Sequence, residues 1–183
     1  GRAVGRTIHG EANSGGSPAQ PTVVLGYDGR ETGEALAAAM AAGLSSAGAQ
    51  VRRLGRLPTP ALASASQGRF GVMITASHNP PTDNGIKLFD DGVEFDRDAE
   101  REIEAAVDTA ETAAWDRWGT IERAEVLTSY RDAVCAYVRE QFDGHDRGDT
   151  GADQANAQPL AGLSIAVDCG NGVAGASAPG IFR

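Results

Sequence analysis

The 183-residue chain reads as an α/β protein built on a mixed, mainly parallel sheet with helices on both faces. Three observations predict this. Short β-branched runs, "TVVLGYD" (22–28), "QVRRLG" (50–55) and "GVMIT" (71–75), alternate with helix-patterned stretches, the βαβ arrangement with its right-handed crossovers. Asp91-Gly92 then divides "GIKLFD" from "VEFD", a two-residue hairpin signal that makes the last strand antiparallel and places it at an edge. Finally, a polar Gly- and Asp-rich stretch leads into "LSIAVD" and "CGNGVAG", the first βα piece of a second, similar domain.

Taken in order, Ala3, Val4 and Ile8, with Arg2 and Arg6 between them, read as the tail of a helix, and "GEANSGGSPAQP" (10–21) as a polar loop. Leu36, Met40, Leu44 and Ala47 recur at helical spacing over 33–47, with Thr32 as the expected N-cap and Gly48 as the stop. Residues 58–67 form a short helix with proline in its first turn and Gly68 after it. Asp96 caps an acidic helix over 97–114 whose inner face carries Ile103, Val107 and Ala110. "WDRWGTIE" (115–122) is irregular or a short strand, and 125–142 is an amphipathic helix carrying Val126, Tyr130, Val134, Tyr137 and Val138. The domain reading is 1–145 for the first domain, 146–160 for a linker and 161–183 for the start of the second.

Sixteen basic against twenty-five acidic residues give a net charge of −9, which argues against a nucleic-acid groove. No run approaches the ~20 apolar residues of a membrane span, and the first residues lack the apolar centre of a secretory signal. Two cysteines are too few for a disulfide framework, so a reducing, cytoplasmic setting is expected. The basic set comprises fifteen arginines and one lysine, Lys87. Lysine can exchange a proton, whereas arginine effectively cannot.

The chemistry-bearing stretch is "TASHNPP" (75–81), at the carboxyl end of a predicted strand. Ligands gather at that edge of open α/β sheets. "GYDGR" ends another strand, which brings Arg30 to the same edge as Ser77. Pro80 and Pro81 fix their own φ and push the preceding residues toward extended conformations, so the loop is stiff. Adjacent side chains on an extended backbone diverge, which makes His78 a poor base for Ser77, and the G-x-S-x-G elbow of hydrolases is absent. Phosphoryl transfer suits the residues better, because a phosphorylated serine carries about −1.5 to −2 charges and needs cations. Lys87, Arg30 and a metal ion are the candidates. Within strand 86–89, Ile86 and Leu88 face the core, and Lys87 faces the other side. A serine in a surface turn and a solvated edge-strand lysine remain the structural alternatives.

The stretch "ITASHNPPTDNGIKLF" (74–89) resembles the phosphoserine signature of the α-D-phosphohexomutases, the phosphomannomutase/phosphoglucomutase family. "GYDGRETGEALAAAMAAGLSSAGAQV", "LPTPALA" and "VDCGNGVAG" resemble the family's neighbouring elements and the opening of its second domain. The resemblance is strong over 22–95, weaker over 96–142, and returns at 163–175. It implies an isomerase that moves a phosphoryl group between C1 and C6 of a hexose phosphate through a hexose 1,6-bisphosphate. Ser77 is then the phosphoserine, Lys87 the proton carrier and Arg30 the group that steadies the phosphoserine or assists transfer. His78 and Asn79 shape the pocket, with Thr75 and Asp28 beside them, and Mg²⁺ takes the Ser77 phosphate as one ligand. The implied partners are mannose or glucose 1- or 6-phosphate and the bisphosphate.

The family's "DGDGDR"-like metal loop, its sugar-discriminating loop, its C-terminal phosphate loop and its "FGTxGxRG" segment are not in these residues. The expectation is therefore a piece of a mutase, inactive by itself. The competing reading is a non-catalytic module that keeps the serine loop to bind phosphate or a partner.

Overall fold

The computed structural model describes residues 1–14, 20–143 and 162–182. In chain order they form α1 (Arg2–Ser14), β1 (Thr22–Tyr27), α2 (Gly33–Ser46), β2 (Gln50–Arg56), α3 (Thr59–Ala65) and β3 (Phe70–Ile74). There follow β4 (Ile86–Asp90), β5 (Val93–Glu94), α4 (Arg97–Ala105), β6 (Ile121–Arg123), α5 (Leu127–Asp143) and α6 (Ala178–Ile181). The six strands make one sheet in the order β5-β4-β3-β1-β2-β6. The β3–β1–β2–β6 part is parallel, and β4 and β5 are antiparallel.

Alternation along the strands divides the core between the two faces. Val23, Leu25, Val51, Val72, Ile74 and Leu88 pack beneath α1, α2 and α4, through Val4, Ile8, Met40, Leu44 and Ile103. Met73 and Phe89 point the other way and meet Leu57 and Leu62, with Val126, Leu127 and Tyr130 of the α5 region outside them. Each fully buried aliphatic side chain of this kind contributes about 1.5–3 kcal/mol. Both faces therefore hold the carboxyl edge of the sheet rigidly.

The hairpin forms as its sequence demands. Asp91 has φ +47° and Gly92 φ +82°, the two left-handed residues of a type I′ turn. A Cβ at Gly92 would also lie 3.2 Å from the Ala63 carbonyl oxygen. Gly92→Ala should therefore lose about 1–2 kcal/mol of stability, read as a lower urea midpoint. Asp96 caps α4 as expected, its carboxylate accepting from the Asp98 and Ala99 amides.

Several local expectations are corrected. Helix α1 continues through residues 10–14, where a loop was expected. Helix α4 stops at Ala105 rather than 114, and turns over 106–110 lead to Ala113, whose N–H donates to Ser46 O at 2.7 Å. That tie to the end of α2 needs chain that has left the helix, and Val107 is accordingly exposed. Leu36 and Ile86 are also exposed, at 39% and 53%, on the rim of a groove of about 610 Å³ between α2, β4 and α4. Residues 163–168 form no strand: Leu163, Ile165 and Val167 are exposed, because no described strand lies beside them to complete a ladder. Beyond them α6 packs on α5, with Cys135 Sγ donating to Ile181 O at 3.8 Å. The expected linker at 146–160 lies outside the described residues.

Candidate active site

The site grows from the ends of two adjacent parallel strands. Strand β1 runs into Asp28-Gly29-Arg30 and β3 into Thr75-Ala76-Ser77, and Asp28 N donates to Ile74 O at 3.1 Å to bring the two ends together. The chain leaves at Thr75 and returns at Gly85, where Thr75 N donates to Gly85 O at 3.0 Å and closes the neck of the serine loop. A side chain at Gly85 would put a Cβ 2.7 Å from Thr75 O, so the neck can close only on glycine.

Arg30 fills the loop. Its Nη1 donates to Pro80 O at 2.5 Å and Asp83 O at 2.9 Å, and its Nη2 to Ser77 O at 3.0 Å and Asn79 O at 3.1 Å. Its Nε donates to Asp28 Oδ2 at 3.1 Å. A guanidinium has five N–H groups, and all five are engaged. Arg30 therefore steadies the backbone that carries Ser77 and has no donor left over for a phosphate. Its side chain is only 10% exposed and that of Asp28 16%, so their ion pair is largely shielded from water.

A second chain of hydrogen bonds fixes Ser77 itself. Asp28 Oδ2 accepts from Thr75 Oγ1 at 2.7 Å, and Thr75 Oγ1 accepts from the Ser77 amide at 3.1 Å. Thr75 is buried, whereas Ser77, His78 and Asn79 are exposed. The buried base thus determines the direction of an exposed tip. Ser77 takes φ +52°, a left-handed conformation that costs a non-glycine residue about 1–2 kcal/mol.

That conformation corrects the expectation for His78. The loop is not extended at Ser77, and its Oγ lies 2.9 Å from His78 Nδ1. With the imidazole proton on Nε2, the Ser77 hydroxyl donates to Nδ1. No carboxylate among the described residues holds the far side of the ring, so the pair is not a hydrolase triad.

Lys87 stands opposite Met73 in the β3–β4 ladder, on the α3 side of the sheet. Its Nζ pairs with Glu94 Oε1 at 2.5 Å, with side-chain exposures of 33% and 44%. The sequence reading missed Glu94, although the hairpin register could have found it. Phe89 faces Glu94, which places Glu94 diagonally across from Lys87. Also missed was Thr32, whose hydroxyl does not cap α2 but donates to Asn84 Oδ1 at 2.8 Å, tying that helix to the serine loop. The described residues contain no group of three His, Cys, Asp or Glu side chains able to hold a metal.

The family model for phosphoglucomutase/phosphomannomutase, alpha/beta/alpha domain I, matches residues 1–114. A phosphoglucosamine mutase from Salinispora arenicola is 41% identical over 167 residues, covering 89% of this chain and 34% of that protein. One from Saccharopolyspora erythraea is 44% identical over 164 residues, covering 87% and 33%. A crystal structure of a phosphoglucomutase/phosphomannomutase family protein from Burkholderia thailandensis superposes with a TM-score of 0.62 at 28% identity, over 74% of this chain and 31% of that one. The chain thus spans about a third of the length of the curated relatives it matches. With that domain model over most of the described sheet, and a serine loop held at the joint ends of β1 and β3, the chain belongs to the phosphoglucomutase/phosphomannomutase family of phosphohexomutases.

Proposed function

We propose that this chain supplies the phosphoserine domain of a phosphohexomutase, with Ser77 as the phosphoryl carrier. The observation that carries the reading is the serine loop itself: a hydroxyl presented on an exposed, left-handed residue whose backbone is held by Arg30, Asp28 and Thr75. Positioning of that kind is most of what a phosphoryl carrier needs from its protein, because the transition state demands alignment more than covalent chemistry.

In the forward step a sugar hydroxyl attacks the phosphorus of phosphoserine 77 and the P–Oγ bond breaks. Lys87 relays the hydroxyl proton to Ser77 Oγ, the oxygen that the phosphoryl group leaves. The bisphosphate then turns over and the step runs in reverse: its other phosphoryl group bonds to Ser77 Oγ, the serine proton passes through Lys87 to the sugar oxygen whose P–O bond breaks, and His78 Nδ1 holds the serine hydroxyl by their 2.9 Å contact. Asn79 shapes the loop through its carbonyl. Mg²⁺ would take the phosphate on Ser77 as one ligand and neutralise charge during transfer, with its other ligands from outside the described residues. The sugar is one of the hexose phosphates. Mannose and glucose phosphates follow from the loop signature, and the phosphoglucosamine mutase relatives add glucosamine phosphate. Among the described residues no helix is long and apolar enough to cross a membrane. Together with two free cysteines this supports work on a soluble metabolite in a reducing, cytoplasmic compartment.

The test is intact mass and phosphopeptide mapping of the full-length protein, before and after incubation with hexose 1,6-bisphosphates of glucose, mannose and glucosamine. Phosphate on Ser77, and turnover of the matching monophosphate, is the expected result. The 183-residue chain alone is expected to show no turnover. An active full-length protein that never carries phosphate on Ser77 would sink the proposal and favour a phosphate-binding module.

A further inference from the structure

From Lys87, strand β4 leads to opposite ends of the sheet. In one direction Ile86 pairs with Ile74, and just beyond them Thr75 N donates to Gly85 O at the neck of the serine loop. In the other lie Phe89, Asp90 and the Asp91-Gly92 turn. Glu94 faces Phe89 across the hairpin, so it stands on the turn side of Lys87, about 7 Å along the strand. Its Oε1 meets Lys87 Nζ at 2.5 Å, while Ser77 Oγ meets His78 Nδ1. The one lysine of the chain is therefore drawn away from the serine it would serve. We propose that Glu94 is an autoinhibitory partner of Lys87, a parking contact that must break before a phosphoryl group is transferred at Ser77. The inference rests on the mutase reading of Ser77 and Lys87.

Packing does not account for β5, which is two residues long with Val93 70% exposed. Its contribution is the carboxylate. With side-chain exposures of 33% and 44%, the pair is weak and open to screening by salt, which suits a contact that has to open in every turnover. What opens it is charge. A hexose bisphosphate brings phosphoryl groups to the serine edge, and each carries more negative charge and more acceptor oxygens than one carboxylate. Lys87 then swings on its flexible four-carbon stem from Glu94 toward the transferring group. Glu94 touches no reacting atom and moves no proton. A lysine parked about four-fifths of the time holds the step to about a fifth of the rate that a free amine would give, the ceiling for a pair this exposed.

The test is the rate at which saturating glucose 1,6-bisphosphate phosphorylates Ser77 in the full-length protein, followed by quenching and intact mass. At low salt Glu94→Gln should raise that rate about three- to fivefold, whereas Glu94→Asp, which keeps the carboxylate, should stay within about twofold of wild type. Salt separates parking from a general change in the hairpin. Raising it to about 0.3 M should screen the pair and speed the wild type relative to Glu94→Gln, so that the ratio of the two rates falls toward one. Lys87 is the only lysine of this chain, so lysine labelled with ¹³C at Cε gives one signal, and Glu94→Gln should move it. A Glu94→Gln protein whose Ser77 is phosphorylated no faster than wild type, a ratio that salt leaves unchanged, or a lysine signal that stays in place overturns the role of Glu94 alone. An active wild type that never carries phosphate on Ser77 overturns the mutase reading and this inference with it.

Discussion

Arg30→Ala should cost this chain about 3 kcal/mol of stability, and Arg30→Lys should recover less than half of it. The size follows from where the contacts lie. Four of the five acceptors are carbonyls of Ser77, Asn79, Pro80 and Asp83 on an exposed or half-buried loop, and water can replace much of what they lose. The fifth is the Asp28 carboxylate, 16% exposed, which also accepts from the Thr75 hydroxyl and from the Arg30 amide. Removing one partner of a largely buried ion pair leaves the other charge uncompensated, at about 3–5 kcal/mol. Partial solvent access at this edge puts the expectation at the lower end. Lysine restores a charge but not the flat fork, and three donors on one nitrogen cannot reach carbonyls on both sides of the loop.

The functional loss should be larger than the structural one. With the guanidinium gone, nothing holds the four carbonyls in one circle, and Ser77 is free to leave its left-handed conformation. The rate of phosphoryl transfer to Ser77 from a hexose 1,6-bisphosphate should fall about 10²-fold, the usual penalty for a misplaced reacting group. Urea midpoints would measure the stability change, and cleavage within 76–84 under limited proteolysis would report the opened loop. A variant with normal midpoint, normal protection and slow transfer would instead place Arg30 in contact with the phosphoryl group.

The strands and the hairpin were legible because their signals are local. β-Branched runs ended by glycine or aspartate, Asp91-Gly92 between two strands, and Asp96 before an acidic helix each state a conformation within a few residues. The loop residues were legible only as chemistry. Arg30 and Ser77 were expected at one edge from topology, and the strand ends do bring them together. That the guanidinium would serve the loop backbone, and not a phosphate, depends on four carbonyls whose directions no residue type announces. The same gap explains Thr32, which looks like an N-cap until Asn84 arrives from 52 residues away to take its hydroxyl. Ser77 and His78 were misjudged for a related reason: the two prolines suggested extended backbone, while the Thr75 hydroxyl and the Arg30 fork bend the chain at the serine. Residues 163–168 failed in the opposite direction, since a sequence can carry strand propensity without a neighbour to pair with.

The strain at Ser77 makes a prediction that separates chemistry from folding. Ser77→Gly and Ser77→Ala both remove the hydroxyl and its contact with His78 Nδ1, so both should end phosphorylation at this position and lower turnover by about 10³-fold or more. They should differ in stability. At φ +52° alanine keeps the left-handed penalty of about 1–2 kcal/mol, whereas glycine escapes it and loses only about 0.5–1 kcal/mol to the greater freedom of its unfolded chain. Ser77→Gly should therefore have the higher urea midpoint, by the equivalent of about 0.5 kcal/mol, although the two proteins are equally inactive. An alanine variant as stable as the glycine one would mean that the loop relaxes once the hydroxyl is gone, so that the serine, not the surrounding clamp, sets the conformation. The expected order puts the strain in the scaffold: Arg30, Asp28 and Thr75 hold the chain in a shape that serine does not favour, and that shape leaves Ser77 exposed at the tip of the loop, where the proposed phosphoryl transfer needs it.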